Sequence, residues 1–211
     1  LGVKAFAAMI ADRGVLGTLL DAIRDENSVF HHDAVALQDL LGFFHDRLKV
    51  FLRDRGIRHD VIDACLAMPG NDDLALLVKR AEALAAELAT EEGENLVQGF
   101  KRANNILAQA EAADGVEYSF GPDPKLAETA EERALFAALD AAEPKIAAAM
   151  AAEDFAGAMA ALAGLRAPVD AFFEAVQVNV ENGVIRRNRL NLLHRIRSAG
   201  LSVADLTKIA G

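Results

Sequence analysis

Cysteine, proline and aromatic residues are all scarce in this chain. A single cysteine among 211 residues excludes an internal disulfide. Nothing points to an oxidising compartment, so the expected location is the cytoplasm. Cys65 lies in the apolar run Val61-Ile62-Asp63-Ala64-Cys65-Leu66, has no neighbouring His or base, and reads as plain core. Tryptophan is absent and Tyr118 is the one tyrosine. No apolar run reaches the roughly 18 residues that a membrane-spanning helix needs, so no membrane partner is expected. The first residue is Leu, with no signal-peptide pattern after it, and the chain is expected to be a piece of a longer protein.

Hydrophobic residues make up 53% of the chain, and much of that share is alanine. Alanine is the best helix former and a poor strand former, so the expected fold is all-α with close helix contacts. The net charge of −10 argues against a general DNA-coating role, because nonspecific binding scales with the phosphates neutralised.

Apolar spacing and breakers predict helices over 3–12 and 15–26, then 33–54, with Asp33 as N-cap and Gly56 at the exit. Helices over 60–67, capped by Asp60 and ended by Pro69-Gly70, and over 72–89 follow. Gly93 should break the pattern before a helix over 94–112. Gly115 to Pro124 reads as a flexible loop. Beyond it, 127–142 is helical and Pro144 starts a new helix, where its missing N–H costs nothing. Further helices are expected from Asp154 to about Gly164, from Pro168 over 167–180, over 184–199, and briefly near 202–209. No internal repeat is visible.

The helix over 184–199 carries five arginines and no acidic residue, inside an acidic protein. Such a local excess of positive charge points to an anionic partner, RNA first. At about 100° per residue, Ile185, Leu190, Leu192, Leu193 and Ile196 share one apolar arc. Arg187, Asn188, Asn191, His194 and Arg195 lie opposite. That polar side reads either as an RNA-facing surface or as a solvated face. Arg189 falls within the apolar arc, so it is expected to be ion-paired with Asp170, Glu174 or Glu181, with an RNA contact as the alternative. In helix 94–112, Leu96, Phe100, Ala103, Leu107 and Ala110 form the buried stripe. Gln98, Lys101, Arg102 and Asn105 lie beside it, open to the same two readings.

Three His-Asp pairs (His32-Asp33, His45-Asp46, His59-Asp60) suit the metal chemistry of His-Asp phosphohydrolases, but Asp33 and Asp60 stand where helix caps belong. Neither a Gly-rich phosphate loop nor a Glu-x-x-His pair is present, and no nucleophile, base and oxyanion set can be assembled. No catalytic residue and no metal site are expected.

Three stretches carry a resemblance: Phe100-Lys101-Arg102-Ala103-Asn104-Asn105-Ile106-Leu107, then Leu165-Arg166-Ala167-Pro168-Val169-Asp170-Ala171-Phe172-Phe173, and Arg186-Arg187-Asn188-Arg189-Leu190-Asn191-Leu192-Leu193. They resemble the C-terminal end of the β subunit of the bacterial two-subunit (α2β2) glycyl-tRNA synthetases, whose last part is a DALR-type anticodon-binding domain. The chain departs from the signature at Asn182-Gly183-Val184-Ile185-Arg186, where Asp-x-x-Leu-Arg is expected. The resemblance implies an all-α multi-helix bundle over 91–211, preceded by a helical linking segment over 1–90. It implies a role in binding the anticodon arm of glycine tRNA, in support of ATP-dependent glycine ligation. The α subunit and a second β subunit would be partners, and DNA would not. ATP and Mg²⁺ would belong to the α subunit, leaving this segment without a cofactor. Lys101, Arg102, Asn105, Arg187, Asn191 and Arg195 would face RNA, with Arg186 and His194 next in line. A reading of a different class makes residues 1–60, with Phe43, Phe44, Phe51 and Leu52, a protein-docking module. A third makes the chain a free-standing helical enzyme of the His-Asp type.

Overall fold

A computed structural model describes residues 34–210, and among them every regular element is helical. The helices expected over 3–12 and 15–26, the Asp33 cap and the His32-Asp33 pair lie outside the described residues. The chain divides into two compact units, parting between Glu82 and Ala83.

In the first unit, α1 (Ala34–Asp54) and α2 (His59–Leu66) pack together, and α3 (Leu74–Leu88) begins. Leu48, Phe51, Leu52, Val61, Ile62 and Cys65 are buried, as their helical spacing predicts. Asp60 is not the cap of α2. Arg58 holds that position, and the buried Asp60 carboxylate accepts the Val61 N–H at 2.9 Å and pairs with the Arg58 guanidinium. His45 Nε2 lies 2.7 Å from the Asn71 carbonyl oxygen.

The second unit is built on α4 (Glu91–Asp114) and α5 (Ala130–Ala151), with α6 (Phe155–Ala163), α7 (Arg166–Ala175) and α8 (Gly183–Leu201) packed around them. Helix α8 lies against both α4 and α5. The predicted stripe of α4, from Leu96 to Ala110, is buried throughout. Each such large apolar side chain contributes ~1.5–3 kcal/mol by leaving water. Phe172 and Phe173 meet edge to face, 5.4 Å between centroids.

Further departures from the sequence expectation reshape α4, α5 and α7, and the short helix expected near 202–209 is a single 3₁₀ turn over Leu206–Lys208. Gly93 does not break α4 but sits in its first turn, where its N–H donates to the Thr90 hydroxyl at 3.0 Å. A Cβ there would run into the Glu87 carbonyl, so the glycine permits the close approach of the preceding turn. Pro144 lies inside α5 rather than at a new start. It is exposed, so the Asp140 carbonyl it leaves unbonded can face water, and Leu139, Ala142 and Ile146 are buried on either side of it. Helix α7 ends at Ala175, not 180. Val176 is extended, and Val176-Gln177-Val178-Asn179 alternates buried and exposed, the two-residue period of extended chain.

Candidate nucleic-acid interface

Helix α8 starts at Asn182, whose side-chain oxygen accepts the Val184 and Ile185 N–H groups at 3.0 and 3.3 Å. Its apolar arc (Ile185, Leu190, Leu192, Leu193, Ile196) is buried as expected. Arg189 is buried within that arc, 5% exposed, and ion-paired. Its partners are not Asp170, Glu174 or Glu181. Nε donates to Glu132 Oε1 at 2.7 Å, one terminal nitrogen to Glu128 Oε2 at 2.9 Å, and the other to the Gln177 carbonyl at 3.0 Å. A helical wheel gives the direction in which a side chain leaves its helix but not which element it meets. The start of α5 lies opposite Arg189, while Asp170 pairs with Arg166 one turn back at 3.7 Å.

Glu132 is 1% exposed and does two things at once. It closes the capping box of α5, accepting the Glu128 and Thr129 N–H groups at 2.9 Å each, and it receives Arg189. Burial pushes its carboxyl up, but the Arg189 and backbone hydrogen bonds and the Arg189 charge outweigh this and hold it below the usual carboxylate range.

The remaining cations of α8 correct the picture of a helix-wide basic face. Arg186 reaches Asp114 at 2.7 Å, the Tyr118 hydroxyl at 3.0 Å and Asn179 at 3.0 Å. Arg195 grips Glu143 at 2.9 Å through two nitrogens and Asp140 at 2.8 Å. Arg197 forms a two-pronged pair with Glu111 at 3.0 and 3.2 Å. Carboxylates of α4 and α5 thus neutralise four of the five arginines, Arg195 among them, and use them to lock α8 in place. Arg187 is exposed and pairs with no described acid. His194 is half-buried. Arg197 can only donate, so Nδ1 accepts at 3.0 Å and Nε2–H donates to Ser198 Oγ at 3.2 Å, the neutral tautomer. Burial and the adjacent Arg197 charge lower its pKa. Asn188 and Asn191, expected on the open face, are buried. A wheel assumes one covered side, whereas the 115–126 segment lies over a second side of this helix.

That segment is held at both ends, not a free excursion. Tyr118 is buried; its N–H donates to Glu111 at 3.3 Å and its hydroxyl to Asp114 at 2.5 Å. Further along, Asn188 clasps the backbone of Asp123 with both amide atoms: Oδ1 accepts the N–H at 2.7 Å and Nδ2 donates to the carbonyl at 3.1 Å. The segment and the first turns of α8 border an open cleft of about 630 Å³, lined by Gly121, Asp123, Asn182, Arg187, Asn188 and Asn191 among others. Phe120, next to this wall, is 77% exposed. Sequence reasoning missed the cleft and Phe120; the signal was an aromatic residue with no helical register in a Gly/Pro-rich loop.

On α4, Arg102 is exposed, with its guanidinium stacked 4.5 Å from the centre of the Phe173 ring. Lys101 is half-buried and Asn105 exposed. Arg102 also lines a smaller cleft of about 290 Å³ with Gln98, Arg166, Asp170 and Phe173. Of the six RNA-facing candidates, Lys101, Arg102, Asn105 and Arg187 have solvent access and no bound acid. Arg195 is engaged and Asn191 is at the floor of the larger cleft. Among the described residues, no three His, Cys, Asp or Glu side chains are grouped to hold a metal, and no helix is long and apolar enough to cross a membrane.

Residues 96–207 match the family model of the DALR anticodon binding domain. The glycine–tRNA ligase beta subunit of Cereibacter sphaeroides is 66% identical over 200 residues, 94% of this chain and 29% of that protein. Its counterpart in Dinoroseobacter shibae is 75% identical over 173 residues, 82% of this chain and 24% of that protein. The one in Paracoccus denitrificans is 68% identical over 173 residues, 82% of this chain and 25% of that protein. The chain therefore spans less than a third of the length of the curated relatives it matches.

Proposed function

From the premise that this chain belongs to the DALR anticodon binding domain family, we propose that it binds the anticodon arm of glycine tRNA. In this reading it serves ATP-dependent glycine ligation carried out elsewhere in a larger assembly, with an α subunit and a second β subunit as partners. ATP and Mg²⁺ belong to the α subunit, this segment uses no cofactor, and the work is cytoplasmic. The chain supplies binding energy and specificity rather than chemistry. One observation carries the reading: within the matched residues, Lys101, Arg102 and Arg187 keep solvent-accessible positive charge while the other four arginines of α8 are neutralised. Charges left unpaired in an acidic domain suit phosphate contacts, and Asn105 suits base or sugar contacts.

Fluorescence anisotropy with glycine-accepting tRNA tests it at several salt concentrations. Replacing Lys101, Arg102 and Arg187 together by alanine should weaken binding and flatten the plot of log affinity against log salt by about 0.7–0.9 per lost phosphate contact. Unchanged affinity and slope would remove these residues from the interface. Equal binding to a tRNA with an exchanged anticodon would reject anticodon reading.

A second role is supported in the first unit. Phe43 is 44% exposed on α1, edge to face with Phe44 and beneath the Arg47 guanidinium. Phe44 is half-buried, and Phe51 and Leu52, expected on the same docking surface, are buried in the first unit, so the exposed Phe43 ring is what suits docking to another subunit.

A further inference from the structure

The larger cleft contains a polar group that the fold leaves unbonded. Asn191 is only 6% exposed, lines the cleft, and its carboxamide oxygen is buried with no hydrogen-bond partner among the described residues. Buried amides almost always have partners, so one without marks a place where something else bonds. Its neighbour one turn earlier behaves in the opposite way. Asn188 spends both amide atoms on the Asp123 backbone and so fixes the 121–126 wall at a set distance from α8. The cleft therefore has a wall tied to α8, the unbonded amide oxygen of Asn191 in its lining, and an unpaired guanidinium, Arg187, at its margin. Its one carboxylate, Asp123, is turned back to accept the Lys125 N–H at 2.9 Å. Beside the wall stands the exposed ring of Phe120.

We infer that this cleft receives one unpaired nucleotide of the anticodon loop, with Asn191 bonding the base edge, Phe120 stacking a base and Arg187 meeting the backbone phosphate. The inference rests on the anticodon-arm reading above and assigns the residues that do the reading. The chemistry matches part by part. A carboxamide offers a donor and an acceptor side by side, the pattern that base edges present. Single-stranded RNA is recognised by bases splayed out onto aromatic faces and bonded at their edges. About 630 Å³ falls in the range of cavities that hold small ligands. A site for a free phosphate would gather several cations, whereas the floor here is neutral amide.

The experiment uses the full chain and the anticodon stem-loop of a glycine-accepting tRNA, with each loop base exchanged in turn. The wild type should show a profile of affinities across these loops. Asn191→Ala should weaken the cognate loop about tenfold and flatten the profile at one loop position, because one base-edge contact is lost. Phe120→Ala, at an exposed position, should weaken all loops severalfold. Asn191→Ala with the wild-type profile, or Phe120→Ala with unchanged affinity for every loop, would overturn the assignment. Should Asn191→Ala fail to fold, 4-thiouridine placed singly in the loop decides with the unaltered chain. Crosslinks to 120–123 or 187–191 support the cleft, and crosslinks only elsewhere overturn it. A wild type that binds with anticodon preference, but whose variants are unchanged, removes only this site. A wild type that does not bind the stem-loop removes the anticodon-arm reading and this inference together.

Discussion

Glu132→Ala should be among the most damaging single substitutions in the second unit. It removes the principal partner of a guanidinium that is 5% exposed, while the carboxylate it deletes is 1% exposed. Breaking a buried pair by deleting one partner costs roughly 3–5 kcal/mol. Arg189 keeps Glu128, but that carboxylate is 59% exposed, and it keeps the Gln177 carbonyl, so the lower figure applies. The capping box of α5 is lost with the same side chain, which adds about 1 kcal/mol. The expected total is about 4 kcal/mol, a large part of the ~5–15 kcal/mol that holds a typical domain together. Arg189→Met should cost about 3 kcal/mol, since Glu132 is left charged and buried with only its backbone donors. Glu132→Gln with Arg189→Met removes both charges and keeps an oxygen for the box, so it should lie within about 1 kcal/mol of wild type. Urea unfolding followed by far-UV circular dichroism at pH 7 measures these proteins together with the Glu132→Gln single variant, which completes the cycle. Singles costing under about 1 kcal/mol, or a double variant as unstable as the sum of its singles, would refute the buried-pair argument.

The same carboxylate gives a pH dependence. Glu132, Glu111 and Asp114 are all held below their ordinary range: Asp114 by the Tyr118 hydroxyl and then Arg186, Glu111 by Arg197 and the Tyr118 N–H acting against its burial. A folded pKa below the unfolded value of about 4 means that their stabilisation is complete above about pH 5 and lost as pH falls through the folded values. Urea midpoints at pH 7 and pH 3 should therefore fall further for wild type than for Glu132→Gln with Arg189→Met; equal falls would count against it. Burial pushes the Cys65 thiol up to about 12 despite the nearby Arg80 charge, so Ellman's reagent at pH 8 should titrate no thiol in the native chain and one in urea. Rapid reaction in the native state would contradict its burial. At Gly200 an added Cβ would lie 2.8 and 3.0 Å from two atoms of the Phe100 ring. Alanine in place of glycine within a helix ordinarily stabilises by up to ~1 kcal/mol, but Gly200→Ala should instead destabilise by about 1–3 kcal/mol, read as a lower melting temperature.

Local chemistry settled the parts of this protein that depend on a single helix. Alanine content and apolar spacing identified the helical class, the buried stripes of α4 and α8 and the burial of Arg189, because propensity and wheel geometry act within one or two turns. The motifs over 100–107, 165–173 and 186–193 were enough to identify the family. What the sequence could not decide is which charges cancel. Asp114, Glu111, Glu128, Glu132, Asp140 and Glu143 lie 52 to 86 residues from the arginines they hold, and only the packing of α4 and α5 against α8 brings them within about 3 Å. The same packing buried Asn188 and Asn191 under a loop that had no helical register to announce it. A Coulomb pair depends on distance through space, and distance along the chain says almost nothing about it. Tertiary structure therefore reduced a helix of five free cations to one exposed arginine beside a cleft.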